Sequence, residues 1–395
     1  MIIKQRLLTP GPTQSPPGVA EALVRGCAMH HRSAEFRALF ASVRERLGNF
    51  MLGEETRFDK AGASAPILLN GSGTLAMEAA LVNLLNPGER GLFVVTGRFG
   101  ARWAQLSDTL GFNTARLQKV WSADVSPDEL RQAIHNANAT GEVKAVFLPG
   151  CETSTGALLD VEALAKVVRE FDDVLLCVDG ITWLGAHVVH PARYGVDALT
   201  FGSQKALGVP PGLSALWLSE RAWERVERVG TPRAYLDLVR ERTSQAEGSM
   251  SFTAPIAQIA ALDAALTWAK SLPGGYQALA LNAASLSNAM RAGLAALKLE
   301  VLAERPAASL SVVMLDAFET LDAEVVRKLM LDRSGVRIAG GQEYLKGKAL
   351  RFSHLGYTDQ GEALLTLAAF EQALAELGAI PHDQLGASLA AFMKA

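Results

Sequence analysis

Few side chains in this 395-residue chain stand where they could do covalent chemistry, and the most suggestive is one amine. The apolar run Ala198-Leu199-Thr200-Phe201 ends in Gly202-Ser203-Gln204, and Lys205 follows before a Gly/Pro-rich loop and a second strand-like run, Ser214 to Leu218. A lysine in a partly dry pocket gives up part of its ammonium character, because burial disfavours the charged form. The free amine can then form a Schiff base with a carbonyl. Taken alone, the segment describes first a hairpin loop carrying a surface lysine, since lysines are mostly exposed. Asp179 closes another apolar run, Val174-Leu175-Leu176-Cys177-Val178, just before Gly180. Its carboxylate either caps the next turn or, beside a Schiff-base lysine, keeps a pyridine nitrogen protonated.

Two further places attract anions. The strand Ile67-Leu68-Leu69-Asn70 runs into Gly71-Ser72-Gly73-Thr74 and then a helix through Met77, Ala80, Leu81, Leu84 and Leu85. Strand, glycine-rich turn and helix together aim free backbone amides and the positive helix end at an anion. No Gly-Lys-Ser/Thr follows and no third glycine closes the motif, so it is neither a P-loop nor a dinucleotide fingerprint. Far along the chain, Arg351 in Lys348-Ala349-Leu350-Arg351-Phe352 offers a bidentate fork to a carboxylate, or a charge facing water on an edge strand.

The elements that must position these groups alternate. Strands are expected at Leu92–Thr96, Val143–Leu148, Val174–Val178 and Ala198–Phe201, with helices near Arg102–Leu110 and Leu159–Phe171. Such alternation predicts an α/β fold with a mostly parallel, mixed sheet flanked by helices. In open sheets of this kind ligands sit beyond the carboxyl ends of the strands, where Ser72, Gly73, Thr74, Phe99, Thr153, Asp179 and Lys205 would gather. From about Pro255 the pattern changes to long alanine-rich helices, Ile256–Ser271 and about Tyr276–Lys298. Strands at Leu310–Leu315 and Leu350–Ser353 and a helix at Ala323–Asp332 follow, giving a smaller C-terminal α+β domain. The division expected is an N-terminal arm, 1–16, a large domain, 17–255, and a small domain, 256–395. Near the start, Ser33 is placed to cap a helix over Ala34–Leu47 directly after His30-His31-Arg32.

Composition removes several classes of function. A net charge of -3 with no Lys/Arg-rich run leaves no footprint for nucleic acid. No stretch approaches the ~20 apolar residues of a membrane helix, and the N-terminus lacks a secretory h-region, so a soluble cytoplasmic protein is expected. Cys27, Cys151 and Cys177 are odd in number and far apart, which argues against a disulfide framework and a structural zinc site. His187-Val188-Val189-His190 lacks the helical spacing and glutamate of a zinc-protease motif, so no metal is expected.

Taken in order, Leu8-Thr9-Pro10-Gly11-Pro12, Gly71-Ser72-Gly73-Thr74, Glu152-Thr153-Ser154-Thr155-Gly156, Val178-Asp179, Gly202-Ser203-Gln204-Lys205-Ala206-Leu207 with Pro210-Pro211-Gly212, and Leu350-Arg351 resemble the class V aminotransferases of fold type I. The likeness is nearest their alanine–glyoxylate and serine–glyoxylate (serine–pyruvate) branch. It implies pyridoxal 5'-phosphate as cofactor, with Lys205 as its anchor and proton carrier and Asp179 as partner of the pyridine nitrogen. It also implies Ser72, Gly73, Thr74 and Gln204 at the phosphate, Phe99 stacked on the ring, and Thr153 at the ring oxygen. Arg351 and Gly11 would hold the substrate carboxylate. Family members are homodimers, and the resemblance has Thr253 reaching the phosphate from the partner subunit.

The implied reaction is ping-pong transamination from alanine or serine to glyoxylate or pyruvate, with no nucleic acid or membrane partner. Two departures touch the pocket: Met250 stands where some relatives have tyrosine, and Gly180-Ile181-Thr182-Trp183 replaces a small-residue turn, with Trp183 expected to narrow the pocket. Other readings are a phosphoserine aminotransferase using His30, His31 and Arg32, a class V desulfurase or lyase, and a non-catalytic α/β binding protein. The desulfurase needs a nucleophilic cysteine on a mobile loop, and the chain has no cysteine after Cys177.

Overall fold

The computed structural model describes residues 3–54, 65–318 and 321–395. After a short strand β1 (Arg6–Leu7) come helices α1 (Val19–Gly26) and α2 (Ala34–Leu52). Ser33 caps α2 as expected, accepting from the Phe36 amide, and the helix runs five residues past its expected end because Phe50, Met51 and Leu52 continue the buried face.

Seven strands form the central sheet: β2 (Ile67–Leu69), β3 (Arg90–Val95), β4 (Asn113–Gln118), β5 (Val143–Pro149), and, beyond the short antiparallel pair β6 (Cys151–Glu152) and β7 (Ala157–Leu158), β8 (Leu175–Asp179), β9 (Ala198–Gly202) and β10 (Ser214–Leu218). Their order is β2-β10-β9-β8-β5-β3-β4, parallel except for β10, which runs antiparallel to both neighbours. β8, β9 and β10 are buried along their whole length, which is why they read in the sequence as unbroken apolar runs. Edge strand β4 went unanticipated because its residues, NTARLQ, are polar and half-exposed. The helix Pro127–Asn138 was missed as well, although Ser126 and Glu129 form a capping box with Pro127 in the first turn.

Helix α3 (Gly73–Leu84) leaves β2, and α4 (Arg98–Thr109) leaves β3. Trp103 locks the two together: its ring is buried edge-on against Phe147, which stacks on Phe93, and its Nε1 donates to the Met77 carbonyl of α3 at 3.1 Å. Beyond the sheet, Ile256–Ser271 is helical as predicted and packs on α1 and α2. A second layer holds β11 (Leu310–Met314), β12 (Val336–Arg337), β13 (Ala339–Gly340) and β14 (Ala349–Ser353). Here β14 pairs antiparallel with both β11 and β13, while β12 pairs in parallel with β1. The chain's first strand therefore closes onto its last third.

Candidate active site

Lys205 follows the carboxyl end of β9 in a loop fixed from both sides. Ser203 donates its Oγ to the Pro210 carbonyl, and its amide donates to Leu213. From the N-terminal segment the Thr13 amide donates to the Gln204 carbonyl, the Thr13 hydroxyl to the Lys205 carbonyl at 2.6 Å, and Ser15 to the Gly208 carbonyl. The amine itself donates to the Pro10 carbonyl at 2.8 Å. Gly11 is required here, since it holds φ +122° and a Cβ would come within 2.3 Å of the Lys205 Nζ. Burial, helped by the nearby Arg351 cation and opposed by Asp179, brings the ammonium down to about 8.

Asp179 ends β8 next to it and is 5% exposed. Its Oδ1 accepts from the Ile181 amide at 2.9 Å and the Thr200 hydroxyl at 3.3 Å, so it does cap the following turn. Burial nonetheless pushes the carboxyl up to about 6 and the Glu152 charge adds to the rise, while the hydrogen bonds and Lys205 hold it down. A cationic ring nitrogen is the kind of partner that would keep this carboxylate ionised.

Arg351 lies on β14, 8% exposed. It is no water-facing edge charge: its Nε donates to the Gly340 carbonyl at 2.8 Å and its Nη1 to the Thr153 carbonyl at 3.3 Å. The Thr153 hydroxyl pairs with that of Thr182 at 2.7 Å, and Thr182 in turn reaches the Cys151 carbonyl. Thus β14 of the second layer touches the loop after β5 of the first, and the Arg351 and Asp179 charges both act on the Lys205 amine.

The helix start expected to attract an anion is that of α3. Ser72 is the N-cap residue but makes no side-chain cap, which leaves its hydroxyl and the first-turn amides, including those of Gly73 and Thr74, open to a ligand. A Cβ on Gly73 would meet Ile181 at 2.3 Å, so the turn after Asp179 packs directly beneath this helix start. Gln204 presents a buried Oε1 that finds no hydrogen-bond partner among the described residues. Phe99, half-buried in the first turn of α4, has the Arg102 guanidinium 4.7 Å from its ring centroid.

Sequence reasoning missed the group that fixes Phe99. Glu152 is fully buried; its Oε2 accepts from the Phe99 and Gly100 amides at 2.9 and 3.0 Å, and Oε1 accepts from the Ser154 amide and hydroxyl. The Ser154 hydroxyl receives the Arg98 amide at 3.0 Å. Residues after β5 therefore cap α4 from outside, a role visible only when distant segments meet. Burial raises the Glu152 carboxyl while these donors oppose it.

Other expected residues lie elsewhere. Thr253 is exposed, next to a surface stack of Phe252 on Tyr235 at 4.8 Å, and Met250 is partly buried. Trp183 does not narrow the pocket. It turns into the core and covers Gly150, where a Cβ would approach within 2.7 Å of its ring. His30 and His31 lie with ring centroids 4.6 Å apart, tilted to one another, in the turn between α1 and α2, without a hydrogen bond or ion pair to the Lys205 cluster among the described residues. A groove of about 710 Å³ near Arg169, Asp197 and Arg221 lies at the opposite ends of the strands. Asp197 there is held by Leu176, Ser219 and both arginines. Among the described residues no group of three His, Cys, Asp or Glu side chains could hold a metal ion. No helix there is long and apolar enough to cross a membrane.

A mostly parallel sheet with a half-buried lysine, a buried carboxylate and an open helix N-terminus at its carboxyl edge defines a fold-type I transferase. Its particular place follows from comparison: the family model for class-V aminotransferases matches residues 7–363, and the chain belongs to that family. The soluble hydrogenase 42 kDa subunit of Anabaena cylindrica is 34% identical over 98% of this chain and 97% of its own length. An aspartate aminotransferase of subgroup IV from Thermus thermophilus superposes with a TM-score of 0.83 at 34% identity, covering 94% of this chain and 99% of that one. An alanine–glyoxylate aminotransferase from Nostoc sp. also superposes at 0.83, with 28% identity over 95% and 96% of the two chains.

Proposed function

We propose that this protein is a pyridoxal-phosphate-dependent aminotransferase that moves an amino group from a small amino acid, alanine or serine, to glyoxylate or pyruvate by a ping-pong route. The observation that carries the reading is the Lys205 amine, held just beyond the end of β9 against Pro10 and Gly11, with the Asp179 carboxylate and the Arg351 guanidinium both acting on its charge. Pyridoxal phosphate, when bound, supplies a carbonyl for that amine and a ring that accepts the electrons released at the substrate Cα.

The residues fit this group. Ser72, Gly73, Thr74 and the unpaired Gln204 Oε1 line a phosphate cradle, provided a protonated phosphate oxygen or a bridging water donates to that oxygen. Asp179 would hold the ring nitrogen, Thr153 the ring oxygen, and Phe99 one ring face. Arg351 and the bare backbone of Gly11 would orient the substrate carboxylate, and Lys205, released as a free amine, takes the α-proton as general base and returns it. Exposed Thr253 suits a contact to the phosphate from the partner subunit in a homodimer. An arm at 1–16, a large domain at 17–255 and a small domain at 256–395 remain the division we favour.

Absorbance of purified protein with added pyridoxal phosphate is the direct test. The wild type should turn yellow and lose the colour when alanine or serine is supplied without acceptor, whereas Lys205→Ala should hold no covalent colour. Phosphoserine as the markedly preferred donor would sink the assignment. A mass in solution equal to one chain would dismiss the dimer.

A further inference from the structure

Contacts that cross between the two layers form a closed circuit around Arg351. Its Nη1 donates to the Thr153 carbonyl, in the loop after β5, and its Nε to the Gly340 carbonyl of β13. A short way past Gly340, Glu343 opens the turn Glu343–Leu345 and pairs with Arg98, the first residue of α4. The Arg98 amide donates to the Ser154 hydroxyl at 3.0 Å, and Ser154 follows Thr153 in the chain. The circuit returns to where it began. Both acceptors of Arg351 are backbone carbonyls, so the direction of its fork depends on how firmly each layer holds its own carbonyl.

Most links of the circuit are stiff. Thr153 and Ser154 are buried, their hydroxyls bound to Thr182 and Glu152. β13 is paired with β14, and just beyond it the Gly341 amide donates to the Ala349 carbonyl at 2.8 Å. The turn then folds back so closely that a Cβ on Gly341 would collide with the Leu345 carbonyl, so a displacement of Glu343 is passed on to Gly340 rather than absorbed. The soft link is the Arg98–Glu343 pair, whose side chains are 36% and 52% exposed. Tyr344 beside it leans on Trp121, ring centroids 4.8 Å apart, so the turn meets the first layer at two neighbouring points. Glu343 also holds φ +51°, a left-handed backbone that glycine adopts without steric penalty. A glutamate standing there points to a use for its side chain.

We propose that Glu343 is a positioning residue for substrate binding: paired with Arg98, it holds the Gly340 carbonyl where that carbonyl aims the Arg351 guanidinium at the substrate carboxylate. This rests on the reading of Arg351 as the residue that binds that carboxylate. In this role Glu343 touches neither substrate nor cofactor and moves no proton. Its loss therefore weakens carboxylate binding and leaves the chemical step alone. Because the pair is open to solvent, its effect is modest and sensitive to salt.

The test uses cofactor-loaded wild type, Glu343→Gln, Arg98→Gln, the double variant and Arg351→Lys. Each is titrated calorimetrically with propionate, which is alanine without its amine, and kcat and KM for alanine are measured beside it. Glutamine keeps the size of Glu343 and removes only its charge. Propionate affinity should fall about 2- to 5-fold in Glu343→Gln at low salt, the range open to an exposed ion pair. KM for alanine should rise by a like factor with kcat unchanged. Arg98→Gln should match it and the double variant should lose no more, since both remove one link. In about 1 M salt the difference from wild type should vanish, because screening loosens the pair there too. Equal propionate affinity in wild type and Glu343→Gln at low salt, additive losses in the double variant, a difference that persists at high salt, or a fall in kcat at unchanged KM overturns the proposal. Failure of the underlying reading looks different: Arg351→Lys, expected to bind propionate at least about 10-fold more weakly, would bind it as wild type does.

Discussion

Lys205 and Asp179 act on one another through their charges, and each leaves a pH signature of opposite sign. The lysine is protonated in the unfolded chain up to about 10.5 but only to about 8 when folded, so the folded form binds fewer protons between those values. Apo-protein stability should therefore gain from this residue as pH rises through that window. Capture of pyridoxal phosphate, followed by stopped-flow absorbance, should accelerate with pH and level off near 8; acceleration continuing to about 10 would mean an ordinary solvated amine. Asp179 behaves inversely. It keeps its proton to about 6 when folded against 3.8 unfolded, so stability should fall as pH rises from 3.8 to 6. Asp179→Asn removes that fall and should raise apo-protein stability at pH 7 by ~2–3 kcal/mol in denaturant melts, while transaminase turnover drops at least ~100-fold for want of a charge opposite the ring nitrogen. Both residues drew notice in the sequence because Asp179 ends an apolar strand and Lys205 stands just beyond one. Glu152 and Arg98 were not, since their partners lie in other segments and a lone charge in a sequence does not name its counterion.

At the scale of elements, α4 shows how the site depends on a cap supplied from outside. Gly97, its N-cap residue, has no side chain to cap the helix, and the open amides of Arg98, Phe99 and Gly100 are satisfied by Ser154 and Glu152 from the loop after β5. Ser154→Ala removes the Arg98 acceptor and one donor to Glu152. Thermal melts should show a loss of ~1–2 kcal/mol, and the Phe99 ring should lose its fixed position, seen as weaker pyridoxal phosphate affinity. A variant with wild-type stability and affinity would show that α4 is held by Trp103 alone. The strand-helix alternation announced most of the sheet because buried parallel strands must be apolar on both faces. Polar β4 was invisible by the same logic, and the capping box at Ser126 was a local signal that only closer reading would have caught.

Across the whole molecule, the N-terminal segment is the tie between layers. β1 pairs with β12, Leu8 is buried among Val336, Ile338 and Phe352 in the C-terminal core, and the next seven residues run to the Lys205 loop, where Pro10, Thr13 and Ser15 make their contacts. The position of Arg351 on β14 and that of Lys205 after β9 are thus linked through one short stretch of chain as well as through the Arg351–Thr153 bond. The sequence marked this stretch as turn-rich and its partners stayed hidden, because pairing between residues some 330 apart leaves no periodicity to read. Leu8→Ala tests the tie. It leaves every site residue unchanged, yet it should cost ~2–5 kcal/mol of stability from the cavity it opens. With the arm loosened from the second layer, Pro10 and Gly11 lose their fixed place against the Lys205 amine. KM for alanine should then rise more than kcat falls, because the arm frames substrate binding and makes no contact with the α-proton. Equal kinetics in the folded variant would mean that Thr13 and Ser15 alone hold the arm at the site.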